Sequence, residues 1–238
     1  MSQVQAVKDA HNIIDVIGSY LQLQHAGSNY RGLCPFHSEK SPSFFVSETM
    51  QRYKCFGCGK TGDIFTFLQD YEGLTFYESL ESLAQKAGIT LEASIKPSQE
   101  DIQKKELLVL LDQARAYYHY LLTEHEVGAA AREYLKERGI TSESIQQFQL
   151  GYALPTWDGL TTYLTEKKDF PADLLLHSGM AIKGKHGSYD RFRHRIMFPL
   201  KNARGQVVGF SGRVFAADSP KEEPKYINTP ETQLYHKG

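Results

Sequence analysis

Four side chains in the first quarter of the chain have the types and the spacing of a metal site. Two residues separate Cys34 from His37, two separate Cys55 from Cys58, and seventeen lie between the pairs. A zinc ion takes four nitrogen or sulfur ligands in a tetrahedron, and a two-residue gap lets both members of a pair turn back onto one ion. The set uses all three cysteines and leaves no coordination position open, which predicts a structural rather than a catalytic zinc ion.

Two glycines, Gly57 and Gly59, lie in and just after the second pair. Both are expected to serve tight turns, because glycine tolerates positive φ. Two other interpretations of the cysteines explain less. Unligated core cysteines would leave the regular spacing without a cause, and a thioredoxin-like dithiol at Cys55 and Cys58 would leave the first pair without a role.

Aromatic and basic side chains surround these ligands in the sequence. The aromatic residues are Tyr30, Phe36, Phe44, Phe45, Tyr53, Phe56, Phe65 and Phe67, and the basic residues are Arg31, Lys40, Arg52, Lys54 and Lys60. Single-stranded nucleic acid is held in this way, because bases stack on rings while cations meet phosphates. Since a small zinc fold also needs rings to fill its core, about half of the aromatic residues are expected to be buried.

The charge of the chain is polarised along its length. The 238 residues include 27 basic and 28 acidic side chains, for a formal net charge of −1. Residues 183–238 hold eleven basic and five acidic side chains, a net charge of +6, whereas residues 1–182 hold the other 16 and 23, a net charge of −7. The distribution predicts a positive surface that faces an anionic partner, with an ordinary solvated basic face as the alternative.

The composition is that of a globular protein. Hydrophobic residues make up 41% of the chain, which is enough for a buried core and excludes a disordered tail. The longest apolar run, residues 107–111, is far shorter than the roughly 20 residues of a membrane helix, and the first residues do not resemble a signal peptide. Three cysteines cannot pair completely, and in a reducing compartment closely spaced cysteines are more often metal ligands or reactive thiols than disulfides. We therefore expect a cytoplasmic protein without a membrane partner.

The pattern of apolar residues and turns predicts three regions. Residues 1–95 show a helical pattern at Val7–Leu21, short strands within Tyr30–Tyr53, and helices at Asp63–Gln69 and Phe76–Lys86. The last helix begins with a capping box, Thr75 and Glu78, and ends before Gly88. Residues 96–105 are polar and include Pro97, which predicts a linker.

Residues 106–238 predict a mixed helical and β subdomain. The predicted helices are Leu107–Leu122, Ala129–Arg138, Ser142–Phe148, Leu160–Lys167 and Ala172–His177, and the predicted strands are Arg195–Leu200 and Gln206–Phe215. The whole chain is therefore predicted to be α+β. A zinc-ribbon domain with an antiparallel sheet and flanking helices would be linked to a basic helical and β subdomain.

Two blocks of the sequence resemble bacterial replicative DNA primases of the DnaG type. The strings Tyr30–His37, Glu39–Phe44 and Cys55–Gly59 resemble that family's zinc-binding domain, of the CHC2 kind. The strings Arg191–Pro199, Gly209–Arg213 and Pro224–Thr232 resemble the basic N-terminal subdomain of its RNA polymerase core. The blocks stand in the family's order, which implies a zinc domain at 1–95 and an incomplete core subdomain at 106–238.

The resemblance implies a role in the primosome, in priming DNA replication at the fork. Such a primase is a DNA-directed RNA polymerase, a nucleotidyltransferase that makes short RNA primers from ribonucleoside triphosphates on a single-stranded DNA template. Its zinc domain helps to recognise the start site on the template. Lys225 and Lys237 correspond to basic residues that support primer synthesis. DNA contacts are expected from Arg31, Lys40, Lys54, Lys60, Arg191, Arg193, Arg195, Arg213, Tyr226 and Asn228.

The resemblance also implies that part of the catalytic machinery is missing. In these primases the carboxylates that bind Mg²⁺ lie in a Toprim subdomain, as a Glu followed by an Asp-x-Asp pair, and no Asp-x-Asp occurs in these 238 residues. Nucleotidyl transfer depends on such metal-binding carboxylates. We therefore expect a chain truncated before Toprim that binds single-stranded DNA weakly and is inactive alone. The C-terminal domain through which the family contacts the replicative helicase is expected to be absent as well.

Two further functions are compatible with the sequence. One is a stand-alone zinc-ribbon module or regulator that binds single-stranded nucleic acid. The other is the primase half of a phage primase–helicase. Whether the reading frame continues past Gly238 into an acidic Toprim sequence would discriminate between a primase and a stand-alone module.

Overall fold

Two compact units make up the part of the chain that the structure describes. The structure is a computed structural model, and it describes residues 2–92, 95–185, 187–202, 204–214 and 224–235. The units divide between Ile102 and Gln103. The division lies within a long helix, Gln99–Thr123, so that the segment predicted as a linker at 96–105 is helical from Gln99 onward. The domain boundaries predicted at residues 95 and 106 stay a prediction.

An antiparallel sheet flanked in sequence by helices forms the first unit. Its elements are α1 (Gln3–Asp9), α2 (Ile13–Gly18), β1 (Gln24–Ala26), β2 (Asn29–Gly32), β3 (Phe44–Ser47), β4 (Arg52–Cys55), β5 (Thr61–Gly62), α3 (Ile64–Glu72) and α4 (Phe76–Lys86). The five strands pair in chain order, and every pair is antiparallel. The predicted α+β class, with an antiparallel sheet and flanking helices around the cysteine-rich segment, is confirmed.

The single helix predicted over Val7–Leu21 is wrong, because the structure divides this segment into two short helices. The side chain of Asn12 accepts a hydrogen bond from the N–H of Ile14 at 3.0 Å and caps the start of α2. An N-cap asparagine satisfies one of the N–H groups left free at the start of a helix. Helix α4, by contrast, has the predicted bounds and the predicted capping box of Thr75 and Glu78.

The inner face of the first sheet packs aromatic rings against helix α3. Phe44 and Tyr53 lie on neighbouring strands with their ring centres 5.0 Å apart, and Phe67 of α3 lies edge-on to Tyr53 at 5.9 Å. Each of the three residues is at most 1% exposed. Because large rings provide much of the apolar area of a small core, this cluster fixes the strands that carry the cysteine-rich turns.

The second unit combines helices, a four-stranded sheet and a separate hairpin. Its elements are α5 (Gln99–Thr123, which begins in the first unit), a 3₁₀ turn (Glu126–Gly128), α6 (Ala129–Glu137), α7 (Ser142–Phe148), β6 (Gly151–Ala153), α8 (Gly159–Thr162) continued by a π-helical turn (Tyr163–Lys167), α9 (Ala172–His177), β7 (Ala181–Gly184), β8 (Gly187–Asp190), β9 (Arg195–Lys201), β10 (Val207–Val214) and β11 (Tyr226–Asn228). The sheet has the order β11-β10-β9-β6 with antiparallel pairs, and β7 pairs with β8. The two long strands predicted at the basic block correspond to β9 and β10 over the described residues.

Helix α5 is 25 residues long and starts eight residues before the predicted Leu107. The extension follows from a capping arrangement: Asp101 Oδ2 accepts from Ser98 N at 2.9 Å, and Ser98 Oγ accepts from Asp101 N at 3.1 Å. These reciprocal bonds satisfy N–H groups at the start of the helix. In the described part of the chain no helix, α5 included, has the length and apolar character that crossing a membrane requires.

The two faces of the second sheet are covered differently. One face places Met197 and Phe210 in an apolar cluster with residues of α5, α8 and α9. The other face places Ile196 in a smaller cluster with residues of α6 and α7. In the sheet register Arg213 lies opposite Ile196, and Tyr226 lies opposite Arg213. Arg213 and Tyr226 therefore continue the second face beyond its apolar cluster, and we call that part of the sheet the open face.

Candidate metal centre and nucleic-acid interface

The four predicted zinc ligands lie together beside the ends of strands β2 and β4. Their ligand atoms are all within 4.8 Å of one another. The Sγ atoms of Cys34 and Cys58 are 3.9 Å apart, and Sγ of Cys55 lies 3.8 Å from Nδ1 of His37. In a tetrahedron with zinc–ligand bonds of about 2.0–2.3 Å, ligand atoms are roughly 3.3–3.8 Å apart. The donor set and its dimensions therefore fit a structural zinc ion.

Zinc binding at this site is coupled to the loss of a cysteine proton. Burial raises the pKa of the Cys34 thiol to about 12, so that without an ion this thiol keeps its proton at neutral pH. The N–H of Phe36 donates to Sγ of Cys34, and the N–H of Cys58 donates to Sγ of Cys55, each at 3.4 Å. Such bonds favour the thiolate. The metal supplies the rest of the stabilisation by replacing the proton.

Glu39 orients the histidine ligand from the side away from the metal. Its Oε2 atom lies 3.2 Å from Nε2 of His37, which leaves Nδ1 to face the cysteines. The carboxylate in turn accepts from the N–H of Cys34 at 2.7 Å and from the hydroxyl of Ser43 at 2.5 Å. The hydrogen bond from this hydroxyl is the main reason why the pKa of Glu39 is below its ordinary value. A carboxylate behind a metal-bound histidine fixes its ring orientation and raises its basicity.

The two glycines in and after the second ligand pair, Gly57 and Gly59, have different roles. Gly59 has a φ of +79°, and the prediction of a positive φ is confirmed there. For Gly57 that prediction is wrong, because its φ is not positive. A Cβ atom on Gly57 would lie 2.5 Å from Nε2 of His37 and 2.9 Å from Oγ of Ser43. Gly57 is therefore required for space beside the histidine ligand.

Replacing Gly57 by alanine is expected to weaken zinc binding. The new methyl group would displace the His37 ring and break its contact with Glu39. Losing an outer-shell partner typically weakens metal binding by roughly 10–100-fold, and we expect the zinc affinity, measured by competition with a chelator, to fall about tenfold. Gly18→Ala is the matched control, because a Cβ atom there meets nothing within 4 Å. Equal zinc retention by the two variants would contradict the steric role.

The other face of the first sheet carries basic and aromatic side chains that the core does not cover. Arg31, Phe45 and Lys54 lie side by side on β2, β3 and β4. Phe56 is 66% exposed, its ring centre lies 5.4 Å from that of Phe45, and Nζ of Lys54 lies 5.1 Å from the Phe56 ring. Phe45, Arg52, Lys54 and Phe56 border a shallow groove of about 740 Å³. We call these five residues, Arg31 included, the outer face.

Most of the other aromatic and basic residues predicted around the zinc ligands do not lie on the outer face. Half of the eight aromatic residues are buried, as expected: Phe44, Tyr53, Phe65 and Phe67. Lys40 is exposed in the loop before β3. Lys60 pairs with Asp70 at 2.9 Å, and its Nζ lies 4.8 Å from the Phe36 ring. The ammonium group of Lys60 is therefore already partnered within the unit.

Three of the predicted DNA-binding residues share the open face of the second sheet. The guanidinium carbon of Arg213 lies 5.4 Å from the Tyr134 ring and 5.8 Å from the Tyr226 ring. Asn228 stands two residues after Tyr226 on β11 and so points to the same face. Arg138 extends the row, with its guanidinium carbon 5.3 Å from the Tyr134 ring. Tyr134 and Arg138 were not predicted from the sequence, because a helical pattern does not indicate which face of a sheet the helix meets.

All three predicted arginines between positions 191 and 195 donate hydrogen bonds to backbone carbonyls. Arg195 is 4% exposed, and its Nη1 donates to the carbonyls of Gly212 at 3.3 Å and Pro224 at 3.0 Å. Its guanidinium therefore lies inside the unit, on the opposite face from Arg213. Arg191 donates from Nε to the carbonyl of Gly179 at 2.8 Å, and burial lowers the pKa of its guanidinium.

The third arginine, Arg193, stacks on an exposed tryptophan that the sequence analysis did not consider. Its guanidinium carbon lies 4.3 Å from the Trp157 ring and 5.5 Å from the Tyr189 ring. The two rings are edge-on to each other at 5.4 Å. Trp157 is 62% exposed and is the one tryptophan in the sequence. We call Trp157, Tyr189 and Arg193 the Trp157 stack.

The two lysines predicted to support primer synthesis lie at the edge of the described region. Lys225 is exposed, just before β11, and Lys237 lies outside the described residues. In the described ranges, the four zinc ligands form the one group of three or more His, Cys, Asp or Glu side chains that lie close enough together to hold a metal ion. No comparable group of carboxylates occurs in that part of the chain.

Two family models match nearly the whole chain. The model described as a CHC2 zinc finger matches residues 1–99, and the model described as the N-terminal domain of the DNA primase catalytic core matches residues 117–238. The first range contains all four clustered ligands. The chain therefore binds one structural zinc ion through Cys34, His37, Cys55 and Cys58.

Similar proteins of known name are bacterial DNA primases. The chain is 42% identical over 238 residues to the DNA primase of Halalkalibacterium halodurans and 40% identical over 231 residues to that of Escherichia coli K12. These alignments cover 99% and 95% of this chain but 39% of each relative. The chain thus spans about two fifths of the length of the curated relatives that it matches.

Solved structures of similar sequence come from the same group of proteins. The RNA polymerase domain of Mycobacterium tuberculosis primase DnaG, in complex with a double-stranded DNA oligomer with a 6-nucleotide overhang, is 38% identical, with a TM-score of 0.52. A DnaG primase catalytic domain bound to single-stranded DNA is 39% identical, with a TM-score of 0.50. Each match covers 56% of this chain and 40% of the other.

Proposed function

Because this chain belongs to the bacterial DNA primase family, we propose that it supplies the zinc-binding domain and the template-binding part of a primase. In the proposed reaction the primase copies single-stranded DNA into a short RNA primer from ribonucleoside triphosphates. We place this activity at the replication fork in the cytoplasm, with the replicative helicase as a partner of the whole primase.

The observation that carries the proposal is the composition of the outer face. A small zinc-stabilised sheet would bury Phe45 and Phe56 if they served only its core, yet Phe56 is two-thirds exposed and Phe45 is half-buried. Arg31 and Lys54 flank Phe45 on the neighbouring strands. Rings between cations on a sheet suit a strand whose bases stack while its phosphates meet positive charge. This arrangement supports the binding of single-stranded template by the first unit.

The open face and the Trp157 stack supply the same chemistry in the second unit. Arg213 stacks between Tyr134 and Tyr226, and Arg193 stacks on Trp157. A stacked guanidinium can still donate to phosphate from the N–H groups at its edge. The net charge of +6 over residues 183–238 supports phosphate binding by this unit.

The metal-dependent step of the proposed reaction requires residues from elsewhere in the primase. Mg²⁺ held by carboxylates would activate the attacking 3′ oxygen and neutralise the leaving pyrophosphate. The present chain would hold the template, and Lys225 and Lys237 would offer positive charge to nucleotide or template near that step. We therefore propose that the chain binds single-stranded DNA without polymerising on its own.

Replacing the two rings of the outer face, Phe45→Ala with Phe56→Ala, is expected to weaken the binding of single-stranded DNA. Stacking contributes roughly 1–3 kcal/mol per base by alanine substitution, so losing two stacked rings is expected to weaken binding by about thirtyfold or more. Fluorescence anisotropy of a labelled oligonucleotide measures it. Phe148→Ala is the control, because Phe148 is 59% exposed on helix α7 and belongs to none of the three surfaces.

Salt dependence separates the stacking role from the phosphate role on the same surface. Each phosphate contact to a single strand contributes about −0.7 to the slope of log affinity against log salt. The double phenylalanine variant is expected to keep the slope of the original chain, whereas Arg31→Ala with Lys54→Ala is expected to reduce its magnitude. If the phenylalanine variant bound as tightly as Phe148→Ala, the outer face would not be the template surface.

A further inference from the structure

A single buried residue, Asp190, is hydrogen-bonded to both Trp157 and Arg193 of the Trp157 stack. Its N–H donates to the carbonyl of Trp157 at 2.7 Å, and its carbonyl accepts a hydrogen bond from Nη1 of Arg193 at 2.5 Å. Asp190 ends strand β8, directly after Tyr189. The residue is 4% exposed, so it cannot itself meet DNA. All three members of the stack are thus held at one point of the backbone.

The carboxylate of Asp190 fixes the segment that follows Trp157. Oδ2 accepts from the N–H of Leu160 at 2.7 Å, and Oδ1 accepts from the N–H and the hydroxyl of Thr161 at 2.9 and 2.6 Å. Leu160 and Thr161 belong to α8, which begins two residues after Trp157. A buried carboxylate with three donors is held in one orientation. The loop that carries Trp157 is therefore tied to Asp190 both at the tryptophan itself and just beyond it.

We propose that Asp190 is a positioning residue for template binding, which holds Trp157 and Arg193 in a preformed stack that receives a base of single-stranded DNA. The inference rests on the proposed function of the chain. Trp157 has 62% of its surface exposed, which leaves room for a base, and Arg193 beside it can meet the adjoining phosphate. A stack that is rigid before binding avoids the entropy cost of ordering the ring when DNA arrives.

Asp190→Asn in the 238-residue chain tests this proposal, and Trp157 serves as its own reporter because it is the one tryptophan. The asparagine keeps one oxygen but turns an NH₂ group towards N–H donors. We expect lower anisotropy of the tryptophan emission and stronger quenching by iodide in the absence of DNA. We also expect single-stranded DNA to bind about three- to tenfold more weakly, although removing a negative charge by itself favours DNA binding.

Two matched variants separate positioning from a general loss of stability. Asp173→Asn removes the same charge from an exposed carboxylate in the same unit, and it should change neither tryptophan anisotropy nor affinity by more than about twofold. Thr161→Val removes one of the three donors to Asp190 and keeps the carboxylate. It should shift both readouts in the direction of Asp190→Asn but by less, and it provides the test if Asp190→Asn does not fold.

A double variant decides whether Asp190 acts through the tryptophan. Trp157→Ala alone should weaken binding by roughly five- to a hundredfold, and adding Asp190→Asn should weaken it no further. Unchanged tryptophan anisotropy in both Asp190→Asn and Thr161→Val would overturn the proposal, as would a full additional loss in the double variant. If the original chain did not bind single-stranded DNA, the proposed function would fail. The anisotropy without DNA would still decide whether Asp190 positions the ring.

Discussion

Removing zinc is expected to unfold the first unit and to leave the second unit folded. Cys34 and Cys55 are 7% and 0% exposed and belong to the same buried cluster as Phe44 and Tyr53. The ion joins the segment that carries Cys34 and His37 to the segment that carries Cys55 and Cys58. Without the ion, nothing replaces this link beside the buried cluster. Structural zinc contributes about 10–16 kcal/mol in zinc-finger peptides at neutral pH. A whole domain is stable by only about 5–15 kcal/mol, so loss of the metal is expected to exceed the stability of the unit.

The chain contains its own reporters for this experiment. Hydrogen exchange measured after chelation should show lost protection in strands β2, β3 and β4, with one zinc released per chain. Trp157 lies in the second unit, and its emission should not change. Cys58→Ser should reproduce the effect without a chelator and without a core cavity, because Cys58 is exposed. A metal-free chain that kept its protection in these strands would contradict the account.

The metal site was predictable because its ligands are encoded locally. Two pairs with two-residue gaps identify Cys34, His37, Cys55 and Cys58 from sequence alone. The residues that position these ligands, Glu39 and Gly57, were not predicted in that role. Glu39 resembles any surface acid in the sequence, and its position behind His37 depends on the path of the loop. Gly57 was assigned to backbone conformation, whereas the structure requires it for space.

The roles of the basic residues depend on strand register, which the sequence does not give. Arg195 and Arg213 both lie in β strands of the same sheet, but Arg195 is opposite Val214 and Arg213 is opposite Ile196. Successive residues of a strand point to opposite faces, so one guanidinium is buried and the other reaches the open face. A charge count predicts a basic surface for the group and cannot assign a face to each member.

Short elements escaped prediction for a related reason. Strands β1, β6 and β11 have three residues each, too few for an alternating pattern to be recognised. They form because neighbouring strands already present free N–H and carbonyl groups to them. Trp157 was missed because a lone aromatic residue in a loop has no period. Its significance emerges only from Arg193, which lies 36 positions later in the sequence and stacks on its ring.

Primer synthesis is expected to depend entirely on carboxylates that these 238 residues do not supply. The sequence has no Asp-x-Asp pair, and the described residues bring no carboxylate cluster together. Without Mg²⁺ at the reacting phosphate, the developing charge is not neutralised. The chain alone should therefore show no synthesis above background. Grafting it onto a relative tests the same statement positively, because it aligns with the Halalkalibacterium halodurans primase over 238 residues.

The most direct measurement is template-dependent incorporation of labelled ribonucleotides, with Mg²⁺, by the chain alone and by a chimera in which it replaces the matching segment of that relative. We expect no primers from the chain alone and primers from the chimera. Lys225→Ala in the chimera should reduce synthesis roughly tenfold or more, as expected for a lost charge-assisted contact. A zinc-loaded, DNA-binding chimera that made no primers would favour a stand-alone binding module. Primer synthesis by the chain alone would show that the carboxylates of these 238 residues suffice for catalysis, which is the opposite of what we propose.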